Sequence, residues 1–387
     1  MNFGDLRALY RKTLLDDVMP FWLKHGFKPD GGFYTCMDDD GRLISTERWS
    51  WSQWRAVWVF SALHRRIGPD PRWLESAGKI YEFLTRVGRT ADGHWPLLCS
   101  ADGKILRGYD SLYVDGFALY GLVEYWRATG KAQALELALE TYRAVEVALA
   151  QAAPPPMYPY PIPPGLRPHG VRMLFSLAYH DLAQASGDAG VARAARRMQK
   201  EIFSEFLRPE DGLVHEWLTI GGPPPDSPEG RAVVPGHAIE SMWFQIEAAR
   251  QGNDRSVIDR ACSLILTHLE RGWDPEFGGL LLAIDCKGLE PVGWAHAETK
   301  LWWPHTEGLV ATLLAFEQTR DKRFLDWHEK VRDYAYRTYP NARDGEWFQK
   351  MDRRGRRITE TLVLPVKDPF HLPRALIMCL ECLGRLD

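Results

Sequence analysis

Asp30-Gly31-Gly32-Phe33-Tyr34 is the first copy of a turn signature in which an acidic or turn residue precedes glycine and then apolar or aromatic residues. The other copies are Asp92-Gly93-His94-Trp95, Asp211-Gly212-Leu213, Phe277-Gly278-Gly279-Leu280 and Asp344-Gly345-Glu346-Trp347. Counted from the last glycine of each copy, the intervals are 61, 119, 67 and 66 residues, so one copy is missing near Ala153. A fixed period of this length is typical of stacked or ring-closed supersecondary units. The 387 residues therefore divide into six units of roughly 64 residues.

Each unit combines a pair of helices with a short hairpin. In the first unit, a helical run over Trp49–Ile67 is broken by Pro69-Asp70-Pro71, and a second run follows over Trp73–Val87. The next unit repeats this order with Asp110–Thr129 and Ala132–Ala153. The missing copy coincides with a proline-rich stretch, which replaces the turn signature there.

The periodicity within the runs predicts how the units assemble. Trp54 and Trp58 belong to apolar sets with the period of an α-helix, and Gly130, Gly187 and Gly252 stand where helices are expected to end in a residue that tolerates positive φ. An open helical array would fit this order. Six hairpins without a distinct capping unit favour closure, so the sequence predicts an all-α (α/α)6 barrel. We expect a single domain over residues 1–387, with short β-hairpins at one end of the barrel.

Composition excludes several classes of function. A net charge of −3 and a pI near 6.5 give no footprint for nucleic acid or for an anionic membrane surface. The longest apolar runs are shorter than a membrane span, and the charged, amphipathic stretch from Met1 to Trp22 is unlike a signal peptide. Six cysteines spread over the chain indicate free thiols. A cytoplasmic location is therefore expected.

One titratable residue occupies a comparable position in each of five units. These residues lie 22 to 26 positions after the last glycine of their turn signature and are Arg55, Asp115, His237, His305 and His371. In a closed ring, equivalent positions converge on the axis, so the five side chains are expected to line one end of a central cavity. Any one of these histidines taken alone would more often be structural. Their coincidence of position favours a functional site.

The residues around the helix starts add detail to this site. His237 and Glu240 are three residues apart and so share one helix face. The chain contains 16 tryptophans, and indole faces suit the C–H faces of sugars. Most of them are expected in the core, whereas Trp303 and then Trp51 are the ones expected to meet a ligand.

At these positions the chain resembles the N-acylglucosamine 2-epimerase family over nearly its whole length. The matching stretches are Pro20-Phe21-Trp22, Gly31-Gly32-Phe33-Tyr34-Thr35-Cys36, Trp51-Ser52-Gln53-Trp54-Arg55-Ala56-Val57-Trp58, Trp126-Arg127-Ala128-Thr129-Gly130, Pro235-Gly236-His237-Ala238-Ile239-Glu240, Gly272-Trp273-Asp274, Lys300-Leu301-Trp302-Trp303-Pro304-His305-Thr306-Glu307, Gly345-Glu346-Trp347-Phe348 and Phe370-His371-Leu372-Pro373-Arg374. The resemblance implies an (α/α)6 barrel that acts on free reducing sugars without a metal or redox cofactor.

The resemblance also implies roles for individual residues. His237 and His371 match the two acid/base histidines of the family, and Arg55 matches the arginine that binds the O1/O2 region of the sugar. The residues at substrate-contacting positions are Tyr113, Arg231, Glu240 and Trp303, with His305 matching some branches of the family only. Glu307, Trp51 and Asp115 complete the predicted substrate-binding set.

Two departures from the family pattern leave the identity of the sugar open. Family members that act on N-acetylglucosamine carry Lys-Gly-Gly shortly before the motif of His371, where this chain has Thr361–Lys367 and retains only Lys367. The cellobiose-epimerising and mannose-isomerising branches carry an extra histidine after the equivalent of Met173, where this chain has Leu174. N-acylhexosamines, plain hexoses and disaccharides thus all remain as substrates.

The chemistry at C2 of an open-chain aldose explains why two histidines and an arginine would be needed. Histidine, whose ordinary pKa is near 6.5, can remove the C2 proton at neutral pH. The resulting enediolate carries negative charge on oxygen, which Arg55 would stabilise. Protonation of C2 from the opposite face gives the 2-epimer, and protonation at C1 gives a ketose. The sequence therefore predicts a 2-epimerase, with an aldose–ketose isomerase as the alternative.

More distant alternatives use some of the same residues. A glycoside hydrolase or lyase on this fold would need two opposed carboxylates from Asp115, Glu240 or Glu307. A non-catalytic sugar-binding protein would not need both histidines. Zinc bound by His237, Glu240 and His371 is conceivable from the ligand types, although no tight ligand spacing supports it. We expect no cofactor, a small sugar as the ligand, and homodimerisation as in other family members.

Overall fold

The computed structural model describes residues 2–220 and 226–386, and most of these residues are helical. In chain order the helices are α1 (Phe3–Lys12), α2 (Met19–Phe21), α3 (Ser50–Ala62), α4 (Pro71–Val87), α5 (Leu112–Thr129), α6 (Ala132–Leu149), α7 (His169–Ser186), α8 (Ala189–Glu201), α9 (Pro228–Arg231), α10 (Pro235–Gly252), α11 (Arg255–Gly272), α12 (Trp302–Thr319), α13 (Lys322–Thr338) and α14 (His371–Leu386). Wider π-type turns extend some of them over Thr13–Val18, Trp22–Gly26, Leu63–Ile67 and Ile202–Phe206. Within the described ranges, no helix combines the length and the apolar character needed to cross a bilayer.

Six helices form a closed inner ring. Helices α3, α5, α7, α10, α12 and α14 contact one another in this order, and α14 contacts α3 to close the ring. The outer partners, in the same order, are α4, α6, α8, α11, α13 and the N-terminal α1. Burial follows this arrangement, because residues 304–316 of α12 are all buried whereas α13 buries one stripe, which includes Phe324, His328 and Val331. The predicted all-α (α/α)6 barrel is confirmed.

Short antiparallel strands cluster at the end of the barrel where the inner helices begin. They are β1 (Arg48–Trp49), β2 (Leu98–Cys99), β3 (Ile105–Arg107), β4 (Leu166–Pro168), β5 (Leu207–Arg208), β6 (Leu213–Val214), β7 (Trp217–Thr219), β8 (Ala232–Val233), β9 (Ile284–Asp285), β10 (Lys300–Leu301) and β11 (Lys350–Met351). They pair as β1-β2-β3, β4-β7, β5-β6, β8-β9 and β10-β11. Because β1, β4, β8 and β10 lead directly into inner helices, these small sheets fix where α3, α7, α10 and α12 start.

The repeated turn signature is anchored by buried polar side chains. All of its glycines except Gly32 adopt positive φ, from 69° at Gly212 to 97° at Gly345, which a residue with a Cβ adopts only with strain. Shortly after the glycine, a backbone N–H donates to a side chain. The four pairs are Trp95 N to Asp115 Oδ1 at 3.0 Å, Val214 N to His268 Nε2 at 3.0 Å, Leu280 N to His305 Nε2 at 2.9 Å and Trp347 N to Glu346 Oε1 at 2.7 Å.

Helix ends agree with the sequence at two of the three predicted glycines. Gly130 and Gly187 end their helices with φ of 71° and 69°. Gly252 is instead the last residue of α10, and the left-handed position belongs to the next residue, Asn253, with φ of 52°. Asparagine tolerates this conformation better than other residues with a Cβ, so the prediction was wrong by one position.

The proline-rich segment at residues 154–165 replaces the missing hairpin, as the spacing predicted. Its start is bound to the beginning of α5, where Leu112 N donates to Pro156 O at 2.9 Å. Tyr158 N donates to Asp110 O at 3.0 Å in the same region. The chain then continues into β4, so this segment crosses the rim of the barrel at the end that carries the inner-helix starts.

Candidate active site

Trp303 lies between two histidines at the N-terminal ends of three neighbouring inner helices. Its ring centroid is 5.1 Å from that of His237 and 5.7 Å from that of His371, with interplanar angles of 31° and 36°. His237 belongs to α10 and His371 to α14, and these helices flank α12, which carries Trp303. The two imidazoles therefore both contact the same indole.

His237 is oriented by a buried carboxylate. Its Nδ1 lies 2.9 Å from Oε2 of Glu216, a residue between β6 and β7 that is 2% exposed. Because a carboxylate only accepts, Nδ1 carries the proton and Nε2 keeps a free lone pair. Burial lowers the pKa of His237, but the charge and hydrogen bond of Glu216, with help from Glu240, raise the pKa above its ordinary value.

His371 is oriented in the same way by a second buried carboxylate. Its Nδ1 lies 2.7 Å from Oε1 of Glu307, which is fully buried on α12. The other oxygen of Glu307 accepts a hydrogen bond from Trp243 Nε1 at 2.9 Å. Burial raises the pKa of Glu307, but Arg374 and His371 outweigh this effect and lower the pKa to about 2. The carboxylate is therefore ionised at neutral pH and fixes Nδ1 of His371 as the protonated nitrogen.

Arg374 connects the two halves of this site. Its Nη2 lies 2.5 Å from Oε1 of Glu240 and 2.8 Å from Oε1 of Glu307. Burial lowers the pKa of Arg374, but the two carboxylates raise it by more, so the net shift is above the ordinary value. A permanently charged guanidinium is thus shared between two buried carboxylates.

Arg55 is bound to the start of α14 through Asp368. Its Nη1 donates to Oδ1 of Asp368 at 2.8 Å, and its guanidinium lies 3.9 Å above the ring of Phe117. The second oxygen of Asp368 accepts the backbone N–H of His371 at 2.8 Å. Burial raises the pKa of Asp368, whereas the charge of Arg55 lowers it, and the net shift is downward. One carboxylate therefore positions both Arg55 and the helix that carries His371.

Tyr113, the second residue of α5, lies within the electrostatic range of the same groups. Burial, followed by the charges of Glu216 and Glu240 and by Tyr160, raises its pKa well above the ordinary value. Its phenol is therefore neutral at physiological pH and can donate a hydrogen bond into the site.

Comparison with known proteins decides the family. A family model described as N-acylglucosamine 2-epimerase matches residues 32–375. The chain belongs to the N-acylglucosamine 2-epimerase family. The N-acylglucosamine 2-epimerase of Bos taurus is 30% identical over 386 residues, which cover 96% of this chain and 90% of that protein. The protein is accordingly an isomerase of the sugar-epimerising class, as the sequence predicted.

Solved structures share the fold of this family member. A sugar epimerase from a ruminal bacterium superposes with a TM-score of 0.83 at 20% identity and covers 97% of this chain and 98% of that one. A D-mannose isomerase superposes with a TM-score of 0.82 at 17% identity, over 98% and 97% of the two chains. Both likenesses support the (α/α)6 architecture.

Seven of the residues predicted for the epimerase site lie at the same end of the barrel, six of them linked by the contacts above and Tyr113 by electrostatic interaction. They are His237, His371, Arg55, Glu240, Glu307, Trp303 and Tyr113. Of the five titratable residues at comparable positions of the repeat, Arg55, His237 and His371 are brought together. Asp115 and His305 have other partners.

Asp115 does not line the cavity of this family member, contrary to the expectation from its position in the repeat. Its Oδ2 lies 2.7 Å from Nδ1 of His94, and its Oδ1 accepts the backbone N–H of Trp95 at 3.0 Å. The side chain is fully buried, and burial raises its pKa. Both oxygens therefore serve the turn signature, and neither is available to a sugar.

His305 requires the same correction. Its Nε2 accepts the backbone N–H of Leu280 at 2.9 Å, and its Nδ1 donates to the carbonyl of Leu301 at 2.8 Å. The ring is fully buried, and burial lowers its pKa to about 3. Since backbone groups use both ring nitrogens, His305 fixes a turn and offers no group to substrate.

Arg231 and Trp51 lie apart from the two histidines. Arg231 pairs through Nε with Oδ2 of Asp285 at 2.7 Å and through Nη1 with Oδ1 of Asp226 at 3.1 Å. Trp51 packs against Trp49 with a centroid distance of 6.2 Å. Among the described residues, neither contacts the histidines by a hydrogen bond or a ring contact.

Three residues of the site were missed by the sequence analysis. Asp368 and Arg374 could have been found, because an aspartate three residues before His371 is a helix-capping pattern and Arg374 follows it by one helical turn. Glu216 lies 21 residues before His237, and no local pattern connects the two. Only the pairing of the hairpin strands brings Glu216 to His237.

Metal-ligating atoms come together at two places in the described part of the chain. Donor atoms of Glu240, Glu307 and His371 lie within 4.8 Å of one another, as do those of a second cluster. The members of that second cluster are Asp211, His215 and Cys286. In the first group the guanidinium of Arg374 already lies between the carboxylates, and a divalent cation there would be close to that buried positive charge. The residues of the epimerase site therefore fit a metal poorly.

Proposed function

We propose that this protein interconverts the C2 epimers of a reducing N-acylhexosamine, N-acylglucosamine and N-acylmannosamine, by proton transfer between C2 and the imidazoles of His237 and His371. The observation that carries the proposal is that each Nδ1 is bound to a buried carboxylate. Neither Nε2 has a hydrogen-bond partner among the described residues. The similarity to the cattle N-acylglucosamine 2-epimerase supports this choice of sugar.

The first step is abstraction of the C2 proton from the open-chain aldehyde. Nε2 of one histidine takes the proton, the electron pair of the C–H bond forms a C1–C2 double bond, and the carbonyl electrons move to O1. The carboxylate behind the imidazole stabilises the imidazolium that forms, as Glu216 does for His237 and Glu307 for His371. The pKa of His237, raised by Glu216, suits it to exchange a proton near neutral pH.

Arg55 stabilises the oxyanion that develops on O1. Its guanidinium is fixed by Asp368 and by the ring of Phe117, so the charge is in place before the reaction. A preorganised cation in a water-poor site can stabilise a developing oxyanion by several kcal/mol, on the order of the loss seen when one oxyanion-hole donor is removed.

The second histidine completes epimerisation by donating a proton to the opposite face of C2. This step requires the two bases on different sides of the sugar, and the positions of His237 on α10 and His371 on α14, the two helices that flank α12, support such an arrangement. The indole of Trp303 would lie against the C–H face of the sugar, and Tyr113 would donate to a sugar oxygen. Each turnover exchanges the protonation states of the two histidines. Proton exchange with solvent restores the starting states.

We also propose that catalysis proceeds without a metal and that the protein acts in the cytoplasm. The positive charge that the carboxylates Glu240 and Glu307 require is supplied by Arg374. All six cysteines are free, which suits a reducing compartment. Full activity after exhaustive dialysis against a chelator would support the first part, and loss of activity that added zinc restores would contradict it.

The proposed reaction is tested by incubating the protein in deuterium oxide with single sugars and recording proton NMR spectra. N-acetylmannosamine, N-acetylglucosamine, mannose, glucose and cellobiose are the substrates to compare. The expected result is that N-acetylmannosamine and N-acetylglucosamine interconvert and gain deuterium at C2. A ketose product would assign the protein to aldose–ketose isomerisation, and absence of conversion or exchange with all five sugars would contradict the proposal.

A further inference from the structure

Two aromatic residues from two different rim loops meet above the proposed active site. Tyr160 belongs to the proline-rich segment and Trp294 to the loop between β9 and β10. Their ring centroids are 5.8 Å apart with an interplanar angle of 22°, so the rings are stacked. Neither residue belongs to the repeat or to the motifs that identify the family.

Trp294 extends the stack to the catalytic side of the site. Its ring meets His237 edge-on, with a centroid distance of 6.2 Å and an interplanar angle of 89°. On its other side it contacts Trp217 at 5.9 Å. Ile162 of the proline-rich segment packs against the same small cluster. Trp294 is therefore held in place by the proline-rich segment and by Trp217 of β7.

Tyr160 extends the stack towards the other side of the site. The residue is 42% exposed at the rim. Burial of the phenol raises its pKa and the charge of Arg55 lowers it, so the phenol is close enough to Arg55 to interact with it electrostatically. The hydroxyl of Tyr160 also influences Tyr113. The pair of rings therefore contacts the site at His237, and Tyr160 lies within electrostatic range of Arg55.

The opposite end of the cavity is closed by core residues. Phe370, which precedes His371, is fully buried. Its ring contacts those of Trp58 at 5.6 Å, Phe117 at 5.8 Å and Tyr120 at 6.0 Å. These core rings fill the space beside the His371 end of the site, whereas the Tyr160–Trp294 pair lies at the rim.

We propose that the stacked pair Tyr160 and Trp294 closes the mouth of the site and restricts the substrate to monosaccharides. A second sugar unit attached to the reacting unit would occupy the space that the two rings fill. This inference rests on the proposed C2 epimerase function and adds a determinant of substrate size. The proline-rich segment provides the rigid connection that holds Tyr160 over the cavity, since proline fixes φ and removes backbone freedom.

The experiment compares a monosaccharide with the disaccharide that shares its reducing unit. N-acetylglucosamine and N,N′-diacetylchitobiose are assayed for C2 epimerisation with the unaltered protein and with the single variants Tyr160→Ala and Trp294→Ala. Trp327→Ala is the matched control. Trp327 lies on the outer helix α13, where it contacts Lys330 of the same helix and Trp273. Circular dichroism of each variant establishes that it is folded.

The unaltered protein is expected to convert the monosaccharide efficiently and the disaccharide only slowly. In Tyr160→Ala and Trp294→Ala, the ratio of kcat/KM for the disaccharide to that for the monosaccharide should rise about tenfold or more, the size of effect that small changes in pocket volume produce. Trp327→Ala should leave the ratio unchanged.

Three results would overturn the inference. The first is efficient conversion of the disaccharide by the unaltered protein, and the second is an unchanged ratio in both folded variants that still convert the monosaccharide. The third is a loss of disaccharide conversion in the variants, which would make the rings a binding surface for the second sugar. Failure of every form of the protein to convert either sugar would instead contradict the proposed epimerase function, together with the inference that rests on it.

Discussion

Glu307 and His371 lie 64 positions apart in the sequence, yet Oε1 of Glu307 is 2.7 Å from Nδ1 of His371. The contact joins the second turn of α12 to the first residue of α14. Since Glu307 is ionised and accepts only, it holds Nδ1 of His371 and directs Nε2 away from itself. Glu216, which belongs to a hairpin, holds Nδ1 of His237 in the same way. The site thus contains two histidine–carboxylate pairs that serve one cavity.

Removal of either histidine should separate proton exchange from epimerisation. In His371→Ala, His237 can still remove the C2 proton of one epimer and return it to the same face, but no acid serves the other face. We expect epimerisation to fall by about 10²–10⁴-fold, the usual contribution of a general acid or base. Exchange of C2 with deuterium should persist for one epimer only, as measured by proton NMR in deuterium oxide.

His237→Ala provides the reciprocal measurement. It should retain exchange with the opposite epimer, because the remaining base is then His371, which the proposed mechanism assigns to the other face of the sugar. If both variants exchange the same epimer, the two histidines act on one face of the sugar. That outcome would favour a single shared base and an isomerase mechanism.

Glu216→Gln should shift the pH dependence of catalysis. The folded protein raises the pKa of His237 through Glu216, so in the direction where His237 is the base, kcat/KM rises with pH only as His237 loses its proton. A neutral amide no longer stabilises the imidazolium, and the midpoint of this acid limb should move to lower pH. The plateau should fall by about tenfold or more because the imidazole is less well oriented. The measurement is kcat/KM for each epimer between pH 5 and pH 9.

The exposed Glu210 in the same hairpin provides a control. Glu210→Gln removes one negative charge from the β5–β6 turn without touching the histidine, and it should leave the midpoint in place. An equal shift in both variants would attribute the effect to net charge alone, and no shift in Glu216→Gln would contradict the role of the contact.

Much of the fold could be predicted because each unit of the repeat is recognisable from short stretches of sequence. The glycines of the turn signature, such as Gly93 and Gly212, mark backbone positions with positive φ, and these recur in five of the six units. The helix runs between them carry their apolar residues at helical spacing, which fixes an inner and an outer face. Closure of the ring followed from the count of units.

The site was harder to predict because a helix rotates by about 100° per residue. Trp303 is the second residue of α12 and faces the histidines, whereas His305, two positions later, faces the turn at Leu280. Comparable spacing from the glycine therefore grouped residues that point in different directions. Partners distant in sequence, such as Glu216 for His237, depend on strand pairing that no local pattern shows.

Arg374→Met should destabilise the protein, because it leaves Glu240 and Glu307 as two buried carboxylates without a counter-ion. Removing one partner of a buried ion pair costs about 3–5 kcal/mol of the free energy of unfolding. The loss should be smaller at pH 5 than at pH 7, since the pKa of Glu307 in the variant rises and protonation relieves the repulsion. Urea denaturation at both pH values measures it.

Arg374→Lys is the matched variant that keeps the charge. It should retain a larger part of the stability than the methionine variant, although it loses the simultaneous contact to Glu240 and Glu307 that the guanidinium provides. Equal stability of the methionine variant and the unaltered protein would contradict a structural role for the ion pair.

The buried His305 should make the stability of the barrel sensitive to acid. Burial lowers its folded-state pKa to about 3, whereas in the unfolded chain the pKa is near 6.5. Between these values the unfolded state binds more protons than the folded state, so the free energy of unfolding rises with pH. The contribution of His305 is complete above pH 6.5 and is lost as pH falls towards 3. Between pH 6.5 and pH 5 the loss amounts to about 2 kcal/mol.

His305→Gln tests this dependence because glutamine can still accept the N–H of Leu280 but does not titrate. At pH 7.5 the variant should be less stable by about 1–3 kcal/mol, because the donor to the carbonyl of Leu301 is lost. This difference should shrink or reverse by pH 5, because only the unaltered protein loses free energy of unfolding by keeping a buried imidazole neutral at that pH. His328→Gln should behave alike, since burial also lowers the pKa of His328 to about 3. A difference in the free energy of unfolding that stays constant from pH 7.5 to pH 5 would show that His305 titrates equally in the folded and unfolded chain.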